Sequence, residues 1–312
     1  MSAETAGAAD DALLSLLGAL EALGYDFVTP LNSTLRTVRS RREVARAGNL
    51  RDVLGWSLPF SPGSLGSEIE DLLLAADAVR DAGAQRRVTI RVSRVEGALF
   101  LHSAYPPGEN GGVFLGPDSY RFARFTRSQL HGGQVRRVCD MGAGAGVGGI
   151  TAAKALGEFE ELRLTDVNPT ALRFARINAV HAGVAATPLQ ASGAGADDAS
   201  FDLILANPPF IADSQRPYSD GGDELGIELS VAWAAQAMER LIPGGRLLLY
   251  TGAPVVDGED RLRAKLEYET AGRDCRLEYE EIDPDIFGGE LRRPAYATVE
   301  RIAAIGAVVT RA

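Results

Sequence analysis

Cysteine is scarce in this chain. The 312 residues contain two, Cys139 and Cys275, at no spacing used by a zinc site or a disulfide framework. Both read as reduced thiols, Cys139 within a buried-strand pattern. Histidine is as sparse: three scattered residues suggest no metal centre. Lysine is nearly missing. Lys154 and Lys265 are two of the 32 basic residues, so arginine supplies 30. Against 42 acidic residues the formal net charge is −10. That excludes a protein that coats nucleic acid through bulk positive charge, though not local contact. No apolar run approaches the ~18 residues of a membrane span. Residues Met1 to Asp11 lack the basic, apolar, cleavable pattern of a leader, and read as a frayed tail on a cytoplasmic protein.

What is present suits a globular protein. Hydrophobic residues make up 46% of the chain, and its length fits one large domain with a smaller one. Asp10 or Asp11 is placed to cap a first helix, with Leu13, Leu16, Leu20 and Leu23 on one face and Gly24 as its stop. A second helix is expected from about Leu35 to Ala47. It carries Arg36, Arg39, Arg41, Arg42 and Arg46, either a solvated face or a phosphate-contacting patch. Ser67-Glu68-Ile69-Glu70 reads as a capping box opening a third helix, with Ile69, Leu72, Leu73, Ala76 and Val79 inward and Gly83 at its end. Val88, Ile90 and Val92 alternate along one strand, and Ala98 to Leu101 form its partner across a Glu96-Gly97 turn. Phe122 and Phe125 read as core, whereas Phe114 and Tyr120 are candidates for lining a site. The expected division is a helical region over 1–85, a hairpin and connection over 86–130, and the main domain over 131–312.

From Gln134 the pattern repeats strand, loop, helix. Strands are expected at Arg136–Met141, Glu161–Val167, Thr187–Ala191, Asp202–Ala206 and Arg246–Tyr250. Helices begin near Val147, Asn168, Glu224 and Glu259, and Pro243-Gly244-Gly245 forms a turn. Strands near Arg276–Ile282 and Arg301–Val309 form an antiparallel edge pair. The first strand runs into Gly142-Ala143-Gly144-Ala145-Gly146-Val147-Gly148-Gly149. Its glycines permit a tight turn and close ligand approach. Gly144, Gly146 and Gly149 fit the dinucleotide spacing, while Asp140, Gly142, Gly144 and Gly146 fit the methyltransferase form. Asp166 ends the next strand, where a carboxylate can take both ribose hydroxyls of an adenosine in either case.

The fourth strand decides between them. Phe201 to Ala206 is an apolar run of strand length, broken at Asn207-Pro208-Pro209-Phe210. Consecutive prolines cannot donate to a sheet ladder, and Pro208 keeps Asn207 out of the helical region. Two oxygens, the Asn207 side-chain oxygen and the Pro208 carbonyl, are thus held where open α/β sheets bind ligands. They suit the two N–H bonds of a planar NH2 group, whose delocalised lone pair makes it a poor nucleophile. Phe210, on the rim, would stack on the flat group that carries the nitrogen. Hydride transfer needs none of this; a methyl donor facing nitrogen does.

Asp140-Met141-Gly142-Ala143-Gly144-Ala145-Gly146, Thr165-Asp166-Val167-Asn168-Pro169, Asn207-Pro208-Pro209-Phe210 and Pro243-Gly244-Gly245-Arg246 together resemble the class I S-adenosylmethionine-dependent methyltransferases of the methyltransferase small domain group. The resemblance spans residues 134–252. It implies a Rossmann-like α/β fold with a seven-stranded sheet whose last strand is antiparallel, preceded here by the small helical domain and hairpin. It implies S-adenosyl-L-methionine as cofactor, bound by Asp140, Gly142, Gly144, Gly146, Asp166, Asn168 and Asn207. Asn207 and Pro208 would be catalytic, with Pro209 and Phe210 binding the acceptor. Many members carry an acidic residue near the adenine amino group; here Gln190-Ala191-Ser192-Gly193 stands in that region, and Ser192 is the substitute considered. Asp220 and Asp223 are candidate proton acceptors.

Three acceptor classes follow. The resembled group is populated mainly by RNA base N-methyltransferases, which makes an exocyclic amine of RNA, and so nucleic-acid binding, the favoured reading. A protein glutamine amide comes second, because release-factor methyltransferases also place a helical domain and a hairpin first. They usually carry Tyr at the Phe210 position, and their Pro-Arg-Pro-Glu-Thr segment is replaced here by Leu115-Gly116-Pro117-Asp118-Ser119. A small metabolite is third. No membrane or metal partner is implied.

Overall fold

A computed structural model describes residues 3–42, 49–106, 112–130, 134–212, 218 and 220–312. The chain begins with α1 (Ala3–Ala22) and α2 (Asn32–Arg42), then α3 (Ser67–Ala75), the hairpin β1 (Val79–Ala82) with β2 (Gln85–Val88), the hairpin β3 (Ile90–Val95) with β4 (Ala98–Ser103), and α4 (Pro117–Gln129). There follow β5 (Arg137–Met141), α5 (Val147–Leu156), β6 (Glu161–Asp166), α6 (Pro169–His181), β7 (Thr187–Gln190) and β8 (Phe201–Ala206). The last part holds the turn α7 (Asp223–Gly226), α8 (Glu228–Arg240), β9 (Leu241–Val256), β10 (Glu259–Asp260), α9 (Arg261–Ala271), β11 (Cys275–Asp283) and β12 (Arg301–Arg311).

The main sheet has the order β11-β12-β9-β8-β5-β6-β7, with β10 pairing β9. Its β5, β6, β7, β8 and β9 run parallel, and β12 is antiparallel to both β9 and β11. This is the seven-stranded Rossmann-like arrangement with an antiparallel last strand. Central strands covered on both faces must be apolar throughout, and Leu203, Ile204, Leu205 and Ala206 are buried, as are Leu247, Leu248, Leu249 and Tyr250. The Pro243-Gly244-Gly245 turn lies within β9, where the ladder shifts register opposite Phe201 and Leu203.

The amino-terminal part departs from several expectations. Helix α1 begins before Asp10, and Asp10 caps nothing: its carboxylate pairs with Arg173 and Arg176 of α6. Leu13, Leu16, Leu17 and Leu20 are buried, each contributing about 1.5–3 kcal/mol, while Leu23 is exposed. Leu17 belongs to the inner stripe, and the chain turns before Leu23 reaches it. Helix α3 stops at Ala75 rather than near Gly83, because Asp77 takes a positive φ and Val79 enters β1. Gly83 instead sits in the β1–β2 turn. The Glu70 carboxylate reaches back past Ser67 and accepts from the N–H groups of Gly63 and Leu65, so it orders the preceding loop. Val88 lies in β2, and the alternating hairpin is β3 with β4 across Glu96-Gly97.

Helix α2 starts at Asn32. Arg36 and Arg41 are exposed, but Arg39 is buried, donating to the Tyr105 carbonyl and stacking on the Tyr105 ring at 5.4 Å. Arg46 lies outside the described residues. The β3–β4 hairpin is fastened to the main sheet by the buried Asn178 of α6, which bonds the backbone of Leu101 in both directions and donates to the Ala145 carbonyl in the glycine loop. None of the described helices is long and apolar enough to cross a membrane.

Candidate active site

Strand registers set the site at one level. Met141 is opposite both Thr165 and Ala206, and Ala206 is opposite Leu249. One residue further, at the carboxyl edge, stand Gly142, Asp166 and Asn207. Chain direction across the sheet reverses between β5 and β8, and that is where such sheets open a crevice.

Gly142, Gly144 and Gly146 have φ of 65°, 53° and 82°, values that favour glycine. A Cβ on Gly144 would meet nothing within 4 Å, whereas one on Gly142 would come to 2.4 Å from the Trp233 ring. The loop thus offers bare backbone at Gly144 and is backed by Trp233 at Gly142. Asp166 closes the crevice beside it. Its Oδ2 accepts from the Gly144 N–H at 2.9 Å and its Oδ1 from the Asn168 N–H at 2.8 Å. The Tyr218 hydroxyl donates to both oxygens at 3.2 Å. Burial pushes the Asp166 carboxyl up, against the pull of those bonds. A side-chain-free loop tied to a carboxylate at a strand end fits the aminoacyl and ribose parts of S-adenosylmethionine.

Asp140 does not face the crevice. It is 2% exposed, and its Oδ2 accepts from the Gly149 N–H at 2.7 Å beneath the start of α5. Its function there is to hold the loop onto the helix. Burial drives its pKa up to about 7, with Asp166 adding to the rise and the Gly149 bond opposing it. A buried carboxyl whose folded pKa lies above its unfolded value binds a proton preferentially in the native state, so its ionisation removes stability as pH rises from about 4 to 7. Asp140→Asn keeps the acceptor for Gly149 without the charge. Its melting temperature should match the parent protein below about pH 4 and exceed it increasingly up to pH 8; a lower value at pH 8, measured by calorimetry, would refute this account.

Asn168 accepts from the Thr170 N–H at 2.9 Å as the N-cap of α6, which occupies its side-chain oxygen. Ser192 is exposed in the turn after β7. That turn is held from behind by the Thr165 hydroxyl, which donates to the Gly193 carbonyl.

Asn207 is half-buried and Pro208 buried at the broken end of β8. No hydrogen bond engages the Asn207 side chain among the described residues. Phe210 departs from expectation. It is 8% exposed rather than on an open rim, its ring lies against Gly252 of β9, and it meets Phe287 edge-on at 5.5 Å. The missing side chain at Gly252 opens the space that draws the ring inward. Asp223 is exposed, and Asp220 accepts from the Gly222 N–H. Phe114 is exposed, whereas the Tyr120 hydroxyl accepts from the Thr29 N–H at 2.9 Å and is spent on packing α4 against the amino-terminal segment. No cluster of three metal-ligating side chains occurs among the described residues.

Residues 122–267 match the family model of the methyltransferase small domain. These residues are a methyltransferase small domain of the S-adenosylmethionine-dependent class. A release factor glutamine methyltransferase of Deinococcus radiodurans is 29% identical over 165 residues, covering 49% of this chain and 55% of that protein. One of Bradyrhizobium diazoefficiens is 29% identical over 253 residues, covering 71% of this chain and 82% of that protein. The match to the first thus spans about half of that relative's length, and the match to the second extends beyond the domain into the amino-terminal part. Trm5b of Pyrococcus abyssi has the domain's fold, with a TM-score of 0.50 at 16% identity over 78% of this chain and 68% of that one. Tyr218 and Trp233 flank the methyltransferase domain's crevice without having been singled out in the sequence. Tyr218 belongs to a loop with no periodicity, and Trp233 occupies an ordinary position in an amphipathic helix.

Proposed function

We propose that this chain methylates the side-chain amide nitrogen of a glutamine in a protein release factor. The observation that carries an N-methylation reading is Asn207: a half-buried amide at a proline-broken strand end, level with Asp166 and the glycine loop, its side chain bonded to none of the described residues. Bound S-adenosylmethionine supplies a methyl group activated on a sulfonium sulfur. The chain supplies geometry. The Asn207 oxygen and the Pro208 carbonyl accept the two N–H bonds of the acceptor and aim its lone pair. As that nitrogen becomes positive its N–H groups become stronger donors, so both bonds tighten toward the transition state. The spent proton leaves an acidic, protonated amide and needs no strong base.

The relatives named for glutamine methylation support the protein acceptor. The structure weakens the case for RNA at two points. Arg39 is turned inward onto Tyr105, and the Phe210 ring lies against Gly252 rather than open for stacking on a base. The net charge of −10 also disfavours a polyanion. On this reading residues 1–85 and the hairpin recognise the release factor, and residues 131–312 carry out transfer.

Incubation of the full chain with methyl-labelled S-adenosylmethionine, in parallel with a purified release factor and with ribosomal and transfer RNA, should label the release factor on glutamine. Label confined to RNA would reverse the assignment.

A further inference from the structure

The segment that follows Phe210 is braced from the far end of the chain. Tyr296 lies between β11 and β12 and is 1% exposed. Its hydroxyl accepts from the Ala212 N–H at 2.9 Å and donates to the Leu225 carbonyl at 3.1 Å. One phenol therefore ties together the two limbs of the connection from β8 to α8. The limbs are also pressed close: a Cβ on Gly226 would lie 2.5 Å from the Phe210 carbonyl oxygen, and one on Gly221 2.8 Å from the Phe210 Cα. Glu224 and Leu225 hold left-handed backbone, with φ of 55° and 64°, a conformation that costs non-glycine residues energy unless their surroundings enforce it. From the same β11–β12 connection, Phe287 packs edge-on against Phe210. The connection itself is anchored to the sheet, because the Ile286 N–H donates to the Ile302 carbonyl at 2.7 Å.

We propose that Tyr296 is a positioning residue for the acceptor side of the site. Through Ala212 and Leu225 its hydroxyl fixes the exit of Asn207-Pro208-Pro209-Phe210, and so the aim of the two acceptor-gripping oxygens. It touches neither acceptor nor donor. The inference rests on the N-methylation reading, and adds to it a part of the chain outside the 122–267 match. The physical reason is the proline break. Asn207 and Pro208 have left the ladder of β8, so no strand partner holds them, and their orientation depends on what holds the backbone four to five residues later, at Ala212. Reacting groups displaced by about 1 Å lose roughly 10²-fold in rate.

Tyr296→Phe removes one oxygen and keeps the buried ring, so the fold should persist. Hydrogen exchange on the full chain should show the Ala212 amide exchanging at least ten-fold faster, with the amides of β8 and β9 unchanged. Calorimetric affinity for S-adenosylmethionine should stay within about two-fold, and kcat on a release factor should fall ten-fold or more without a matching rise in the donor KM. Unchanged exchange at Ala212, or faster exchange with unaltered kcat, would overturn the proposal. A parent protein inert on the release factor would instead sink the acceptor reading. The exchange result, which needs no acceptor, would then decide on the brace alone.

Discussion

Asn207→Ala should abolish methyl transfer while leaving the donor site intact. The expected fall in kcat is about 10²–10³-fold, the loss found when one preorganised partner of a developing charge is deleted. Affinity for S-adenosylmethionine, read by calorimetry, should change by no more than about two-fold. The two quantities separate because Asn207 and Asp166 stand at the ends of different strands, β8 and β6, with β5 between them. The Asn207 side chain bonds no other described residue, so its removal leaves no buried partner stranded and should hardly move the melting temperature. Asn207→Gln is the sharper test. It retains an amide oxygen but displaces it by one methylene, and an error of about 1 Å is enough to cost roughly 10²-fold. A Gln variant with near-parental kcat would mean that the oxygen's position does not matter, and the two-oxygen grip would be wrong. Loss of donor affinity in the Ala variant would equally refute the division of labour.

The break at Asn207 was legible in the sequence because two successive prolines after an apolar run admit few backbone solutions. At the sheet's centre β8 was legible for a similar reason, since a strand buried on both faces is a nearly continuous apolar run; β5, β6 and β7 also lie within a residue of their expected bounds, although β7 is exposed and not apolar. What stayed hidden depends on contacts distant in sequence. Nothing local to Phe210 reveals that Gly252, on a neighbouring strand, leaves a space its ring can fill. Asp10 has the composition of a helix cap, and only the packing of α1 against α6 gives it Arg173 and Arg176 instead. Residues 67–82 show the opposing case, in which helical spacing through Val79 loses to a hairpin. Val79 pairs with Val88, and the positive φ of Asp77 ends the helix first. Asp140 carries a subtler lesson. The pattern D-x-G-x-G-x-G places it with the ligand-binding glycines, yet its carboxylate is directed inward to Gly149. A residue can belong to a binding motif because it shapes the loop, without touching what the loop holds.

Asp166→Ala should have the opposite signature to Asn207→Ala, a large loss of donor affinity. Two ribose hydroxyls donating to a carboxylate form charge-assisted hydrogen bonds worth roughly 1.5–3 kcal/mol each. Part of that is offset because the Tyr218 hydroxyl already donates to both oxygens and must give way. A net loss of about 3 kcal/mol, or roughly 100-fold in Kd, is the expected result. The variant also releases the Gly144 N–H from its tether, so the glycine loop loosens and the effect should exceed that of removing the ribose contacts alone. Acidity provides an independent check on the same group. The carboxylate is the form that accepts the hydroxyls, and burial has raised its pKa. Donor affinity should therefore decline as pH falls, starting above the range of an exposed aspartate and steepening toward ten-fold per pH unit below its pKa. Asp166→Ala should flatten that decline. An acid-insensitive Kd in the parent protein, or a variant that binds as well as the parent at neutral pH, would remove Asp166 from the donor site and with it the ribose end of the crevice.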